Sequence, residues 1–447
     1  MLTPLEKVAA VRSAMPSHGL FAEKDWLTSP EPFAMTNQQV DELEKLGYRL
    51  ALFQRACNQL YHLSVKGKQP EWIARYLDLG KPPELVEYSR RQEFRNDLPL
   101  VIRPDLVLTE ECWTIAELDT VPGGIGLTAW LNQVYAGLGY DVLGGATGML
   151  EGFRSLLPEG GDILVSQEAA TYRPEMQWIA DELAKSGCSL RVLDAETYSI
   201  PAQPTTAYRF FEHFDLPNIP TAPAIMNAAA AGTLRITPPF KPYMEEKMWF
   251  ALFWMHPLRD YWRRELRDHH FKELQKVIPY TWIVDPAPLP HHAVLPHLNI
   301  HHWSELAHFS QKERELIMKI SGFSELSWGG RGVSVAQDLP QKEWAATVQR
   351  ALDHFHTTPR ILQRFHKGRI VEQPYADTAS QSIRTMQGRV RLCPYYFIED
   401  SKATLRGALA TICPPDKKLL HGMRDAILAP VQVVEELPLV KAFQAGY

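Results

Sequence analysis

Residues 101–119, VIRPDLVLTEECWTIAELD, constrain the fold more than any other stretch of the chain. Two apolar runs flank a short polar turn, which predicts a β-hairpin. Arg103 and Asp105 sit two apart on the first run, and Glu117 and Asp119 two apart on the second. Side chains two apart on a strand share a face. With the turn at Glu110 to Cys112, antiparallel pairing sets Asp105 opposite Glu117 and Arg103 opposite Asp119. Carboxylates about 5 Å apart across strands repel unless something neutralises them. A hard divalent cation does so economically, because Mg²⁺ takes oxygen ligands from a few carboxylates and from phosphates.

The same residue types also suit ion pairing on a solvated strand. Against that, Val101, Ile102, Leu106, Val107 and Leu108 make the first run apolar enough to be buried. The second run leads directly into Val121-Pro122-Gly123-Gly124-Ile125-Gly126, a turn whose backbone N–H groups can hold an anion.

At 447 residues the chain can form about three units of ~150 residues, or one interleaved architecture. The net charge of -5, with basic residues scattered, argues against a nucleic-acid partner bound by phosphate neutralisation. No run of 18 apolar residues predicts a membrane span, and the first residues lack a signal-peptide core. The five cysteines show no CxxC spacing, which points to reduced thiols in a cytoplasmic compartment.

The first hundred residues read mainly as helix, with helical spacing clearest over 37–61. The spacing predicts a helix over 127–136. Residues 162–194 read as strand, helix, strand without a G-x-G-x-x-G fingerprint. Helices are predicted over 243–254 and 258–276, followed by a Pro/His-rich loop. The last third alternates strands and helices. These shifts suggest a helical region (1–100), a hairpin with an α/β unit (101–240) and a third region (241–447).

Two lysines stand out. Lys319 lies on an apolar strand that leads through Trp328-Gly329-Gly330-Arg331-Gly332 into a second strand, an arrangement able to cover phosphates. An ordinary hairpin with a snorkelling lysine has the same pattern. Lys247 heads a very apolar helix, and such a lysine can also simply mark a solvated edge. The His-His pairs show no zinc-ligand spacing, and no G-x-S-x-G is present.

Together these segments resemble the circularly permuted ATP-grasp enzymes, in particular the glutathionylspermidine-synthase-like branch, over most of residues 100–430. That branch carries R-x-D, eleven residues, then E-x-N. Arg103-x-Asp105 and Glu117-x-Asp119 keep this spacing, with Asp119 where the family has Asn. The resemblance implies an α/β (α+β) ATP-grasp fold with a pre-ATP-grasp-like unit. It implies Arg103 as the catalytic phosphate contact, and Asp105, Glu117 and Asp119 as ligands of two Mg²⁺ ions. It further implies that Lys247, Lys319 and the flap residues Trp328, Gly329, Gly330, Arg331 and Gly332 contact ATP. Gln363 then belongs to the hinge that meets adenine. The 72-residue separation of Lys247 and Lys319 reads as an insertion relative to the family.

The implied activity is an ATP- and Mg²⁺-dependent ligase that activates a carboxylate as an acylphosphate and couples it to an amine. A phosphotransferase acting on a small molecule and a non-catalytic nucleotide-binding protein are the alternatives. Small-molecule carboxylate and amine partners follow from the ligase reading.

Overall fold

The hairpin forms from Val101–Leu108 and Trp113–Asp119, and its details decide what the cavity beside it contains. The computed structural model describes residues 2–16, 25–327, 330–377, 379–420 and 424–437. Trp328 and Gly329 lie outside the described residues. Asp105 pairs with Glu117 and Arg103 with Asp119, as the spacing requires. Nearer the turn the register is one residue different, with Leu106 opposite Ile115. A β-bulge absorbs the difference and leaves Ala116 unpaired.

The hairpin's other neighbour is the 18-residue strand Ser382–Glu399. Their ladder pairs Leu392 with Leu106 and resumes at Tyr396 with Ile102. The shared register sets Pro394 opposite Pro104, and neither has an N–H to give. The ladder therefore opens beside Arg103 and Asp105.

These strands belong to an eight-stranded sheet. Its path runs Leu27–Thr28, Ile427–Val434, Lys402–Cys413, Ser382–Glu399, Val101–Leu108 and Trp113–Asp119. Ile370–Asp377 and Phe33–Thr36 attach to its side. The first hundred residues thus contribute two short strands to this sheet, both parallel to Ile427–Val434. Runs of two and four residues are too short to announce themselves by alternation.

The helix Asn37–Val65 begins with a capping box between Thr36 and Gln39. It buries Leu43, Leu46 and Leu50 in the same core as Leu106, Ile115 and Tyr396. Gly47 lets this helix approach Tyr396, whose ring atoms would lie 2.3 Å from an added Cβ.

A second, four-stranded antiparallel sheet contains Val333–Val335, Leu316–Ile320, Arg360–Arg364 and Thr281–Ile283. Lys319 pairs with Val333 across the glycine-rich turn. The third sheet is parallel, in the order Leu190–Asp194, Gly161–Val165, Thr205–Phe210 and Leu234–Thr237. Its helix Arg173–Ala184 packs with Ile125–Gly137, which starts two residues earlier than its hydrophobic spacing suggests. The single helix expected over 258–276 is two, Arg259–Leu266 and Asp268–Val277, broken at Arg267 with φ 61°. No helix of the described residues is long and apolar enough to cross a membrane.

Candidate nucleotide site

The open ladder, the bulge and the second sheet surround a cavity of about 840 Å³. Arg103, Asp105, Glu117, Asp119, Lys247, Lys319, Gly330 and Gln363 all line it. Residues picked from four separate segments of the sequence therefore meet in one place. Nine lysines and arginines face this space against six aspartates and glutamates, in a chain whose net charge is -5. A cleft with that excess selects an anionic ligand.

The carboxylates are neutralised from within the protein. Arg103 lies 3.1 Å from Asp105 Oδ1 and 3.0 Å from Asp119 Oδ2, and donates to the Gly123 carbonyl at 3.0 Å. Arg391 donates to Asp105 Oδ2 at 3.2 Å, and the Cys393 thiol donates to Oδ1 at 3.3 Å. Lys247, at the start of the helix Met248–Trp254, pairs with Glu117 at 2.7 Å. Burial disfavours the charged form of Lys247, but Glu117 more than offsets it and raises the ammonium. Burial similarly opposes charge on Arg103, and Asp105 and Asp119 hold it firmly protonated. The Asp119 carboxyl is raised, by burial and by Glu117, against the opposing pull of Arg103.

Lys319 differs. Among the described residues its ammonium has no carboxylate partner in hydrogen-bond reach, and it donates to the Ala116 carbonyl at 2.6 Å and to Gln363 Oε1 at 2.9 Å. The bulge exposes that carbonyl by removing Ala116 from the ladder. Burial pulls Lys319 down to about 8, with Lys247 adding to the effect and Glu117 opposing it. Gln363 passes its other amide group to Thr281 at 3.1 Å. The Gln363 side chain thus bridges Lys319 and Thr281.

Three expectations change in detail. Of the N–H groups of the turn after Asp119, expected to be able to hold an anion, that of Gly126 at the head of Ile125–Gly137 meets Glu175 Oε1 at 3.3 Å. Arg331 points to Glu168 at 3.2 Å, and neither it nor Gly332 lines the cavity. Gly332 instead packs under Leu326 and Ile320. Among the described residues, no three His, Cys, Asp or Glu side chains converge as a ready-made metal cage. Mg²⁺ is ordinarily held by one or two carboxylates together with substrate phosphates. Asp105 and Glu117, facing each other with oxygen donors only, fit that mode better than a standing cage of three.

Arg391 and Cys393 enter the site with no motif to mark them. The usable signal was the alternation Arg389, Arg391, Cys393, Tyr395, which puts all four on the cavity side of one strand.

No protein-family model matches the chain, and no curated protein matches it. Among solved structures it is similar to a glutathione synthetase-like effector from Globodera pallida in apo form. The TM-score is 0.54 with 10% identity, over 97% of this chain and 98% of that one. It also matches a chain from Methylobacillus flagellatus KT described as a gamma-glutamylcysteine synthetase, with TM-score 0.36, 11% identity, and 85% and 88% coverage. The second likeness is too weak to argue from, and the first concerns fold alone. That fold is mixed α/β.

Proposed function

We propose that the protein is an ATP- and Mg²⁺-dependent ligase of circularly permuted ATP-grasp type, joining a small-molecule carboxylate to an amine. The observation that carries the reading is the meeting of Arg103, Lys247 and Lys319 with Asp105, Glu117 and Asp119 around one cation-rich cavity. Its volume of about 840 Å³ lies within the usual range for a cofactor-sized ligand.

Asp105 and Glu117 are the residues that would hold Mg²⁺ together with substrate phosphates, with Asp119 beside them paired to Arg103, and the ion would supply charge neutralisation. Arg103 and the two lysines face the space where negative charge develops during phosphoryl transfer. Each is already oriented, by Asp105 and Asp119, by Glu117, and by Gln363 with Ala116. The triphosphate would take over as their counter-charge, leaving the carboxylates to the metal. The acceptor carboxylate attacks the γ-phosphorus, ADP leaves, and an amine then displaces phosphate from the acyl carbon while losing a proton. No side-chain nucleophile is needed. Ser327 and Gly330, which line the cavity beyond the Lys319 strand, would help keep water from the activated acyl group.

Purified protein given ATP, Mg²⁺ and a panel of acids and amines should release ADP and inorganic phosphate in equal amounts. Asp105→Asn and Glu117→Gln should each abolish release. Full turnover in both variants would refute the metal assignment, and a stable phosphoester product would replace ligase with phosphotransferase.

A further inference from the structure

Lys247 and Lys319 sit on a helix and a strand that share no ladder, 72 residues apart in sequence. Something else must hold their ammonium groups in register. Ser321, just beyond the Lys319 strand, makes the connection. Its carbonyl accepts from the Lys247 N–H at 2.7 Å, and its Oγ accepts from the Met248 N–H at 3.0 Å. The first turn of a helix leaves such N–H groups without partners of their own. The hydroxyl in turn donates to Glu246 Oε2, and Glu246 Oε1 pairs with Lys81. The side chains of Lys81 and Glu246 are 0% and 1% exposed.

The surrounding backbone is shaped to this contact. A Cβ at Gly322 would lie 2.9 Å from Glu246 Cδ and 3.1 Å from the Glu245 carbonyl. Ser321 N–H also bonds the Pro359 carbonyl at 2.9 Å, directly before the strand that carries Gln363. At the far end, Gly80 has φ +73°, and a Cβ there would stand 2.1 Å from the Thr357 carbonyl. The turn at Gly80 and Lys81 is thereby pressed against the segment leading into Arg360–Arg364, the strand paired with that of Lys319.

We infer that Ser321, anchored by Glu246 and through it by Lys81, is a positioning residue that sets Lys247 and Lys319 for one triphosphate. This rests on the reading of the cavity as a nucleotide site. It gives the N-terminal segment a part in nucleotide binding through a chain of buried contacts, without Lys81 touching the ligand.

The test is titration of the full chain with MgATP, comparing Ser321→Ala with Ser64→Ala. Ser64 is also buried, accepts from the Ala74 N–H and donates to the Pro70 carbonyl, but lies away from the cavity. Ser321→Ala should weaken binding about tenfold or more, since misplacing a charge by a fraction of an ångström has that scale of effect. Ser64→Ala should lower Tm but leave Kd within about twofold of wild type. Wild-type affinity in folded Ser321→Ala, or equal weakening in both variants, overturns the inference. Should Ser321→Ala not fold, Lys81→Met with Glu246→Gln takes its place, and wild-type affinity there is equally fatal. Wild-type protein that ignores millimolar MgATP instead refutes the nucleotide reading, and the inference falls with it.

Discussion

ATP affinity should fall as pH rises above about 8, and Lys319 is the reason. In the free protein burial holds its ammonium at about 8, where its near partners among the described residues are the Ala116 carbonyl and the Gln363 amide. A polyphosphate beside it favours the charged form and returns it towards the ordinary lysine value of about 10.4. Binding must then take up a proton whenever the free protein has lost it. At pH 7 Lys319 is protonated and the effect vanishes. At pH 9, one unit above its value, about a tenth of the molecules carry the proton, so apparent Kd rises about tenfold, or about 1.4 kcal/mol. Calorimetric titration with MgATP from pH 7 to 9.5, in buffers of differing ionisation enthalpy, reads both Kd and proton uptake. Lys319→Arg stays charged throughout and should flatten the profile. Lys319→Met should bind more weakly at every pH, again without the slope. A flat wild-type profile, or a slope that survives in Lys319→Met, would refute the argument. Stability carries the matching sign. The unfolded chain holds this proton up to about pH 10.4, so between about 8 and 10 wild type gains stability relative to Lys319→Met as pH rises.

Lys81→Met leaves Glu246 charged and buried, and should cost about 3–5 kcal/mol in urea unfolding; adding Glu246→Gln should recover most of it. Gly47→Ala drives a methyl into the Tyr396 ring and should destabilise by about 1–3 kcal/mol, with MgATP affinity unchanged because Gly47 lies outside the cavity. Glu117→Gln removes the main support for the raised Lys247 ammonium and one support of Lys319, so the alkaline loss of MgATP binding in this variant should begin at lower pH than in wild type. An identical pH profile in Glu117→Gln would show that Glu117 does not control Lys247.

Much of the hairpin was legible because strand alternation has period 2. Once Arg103, Asp105, Glu117 and Asp119 are spaced by two, the facing pairs follow from any antiparallel turn of suitable length. The bulge at Ala116 was not legible, because it corrects a one-residue mismatch between turn and pairing that only closure of the whole sheet reveals. The strands Lys402–Cys413 and Ile427–Val434 were likewise missed, as was the pairing of the chain's first strands with the last. Those pairings join residues some 400 positions apart, and local periodicity holds no record of a partner.

By itself the sequence determined which side chains share a face, where the apolar segments lie, and that two lysines and an acid-rich hairpin coexist in one chain. Tertiary structure decided that they meet, that Arg391 and Cys393 join them, and that Gln363 supports Lys319. Side-chain periodicity is a short-range property of the backbone. The charge state of Lys319, by contrast, depends on which carbonyl a bulge happens to expose and on how far the surrounding sheets exclude water.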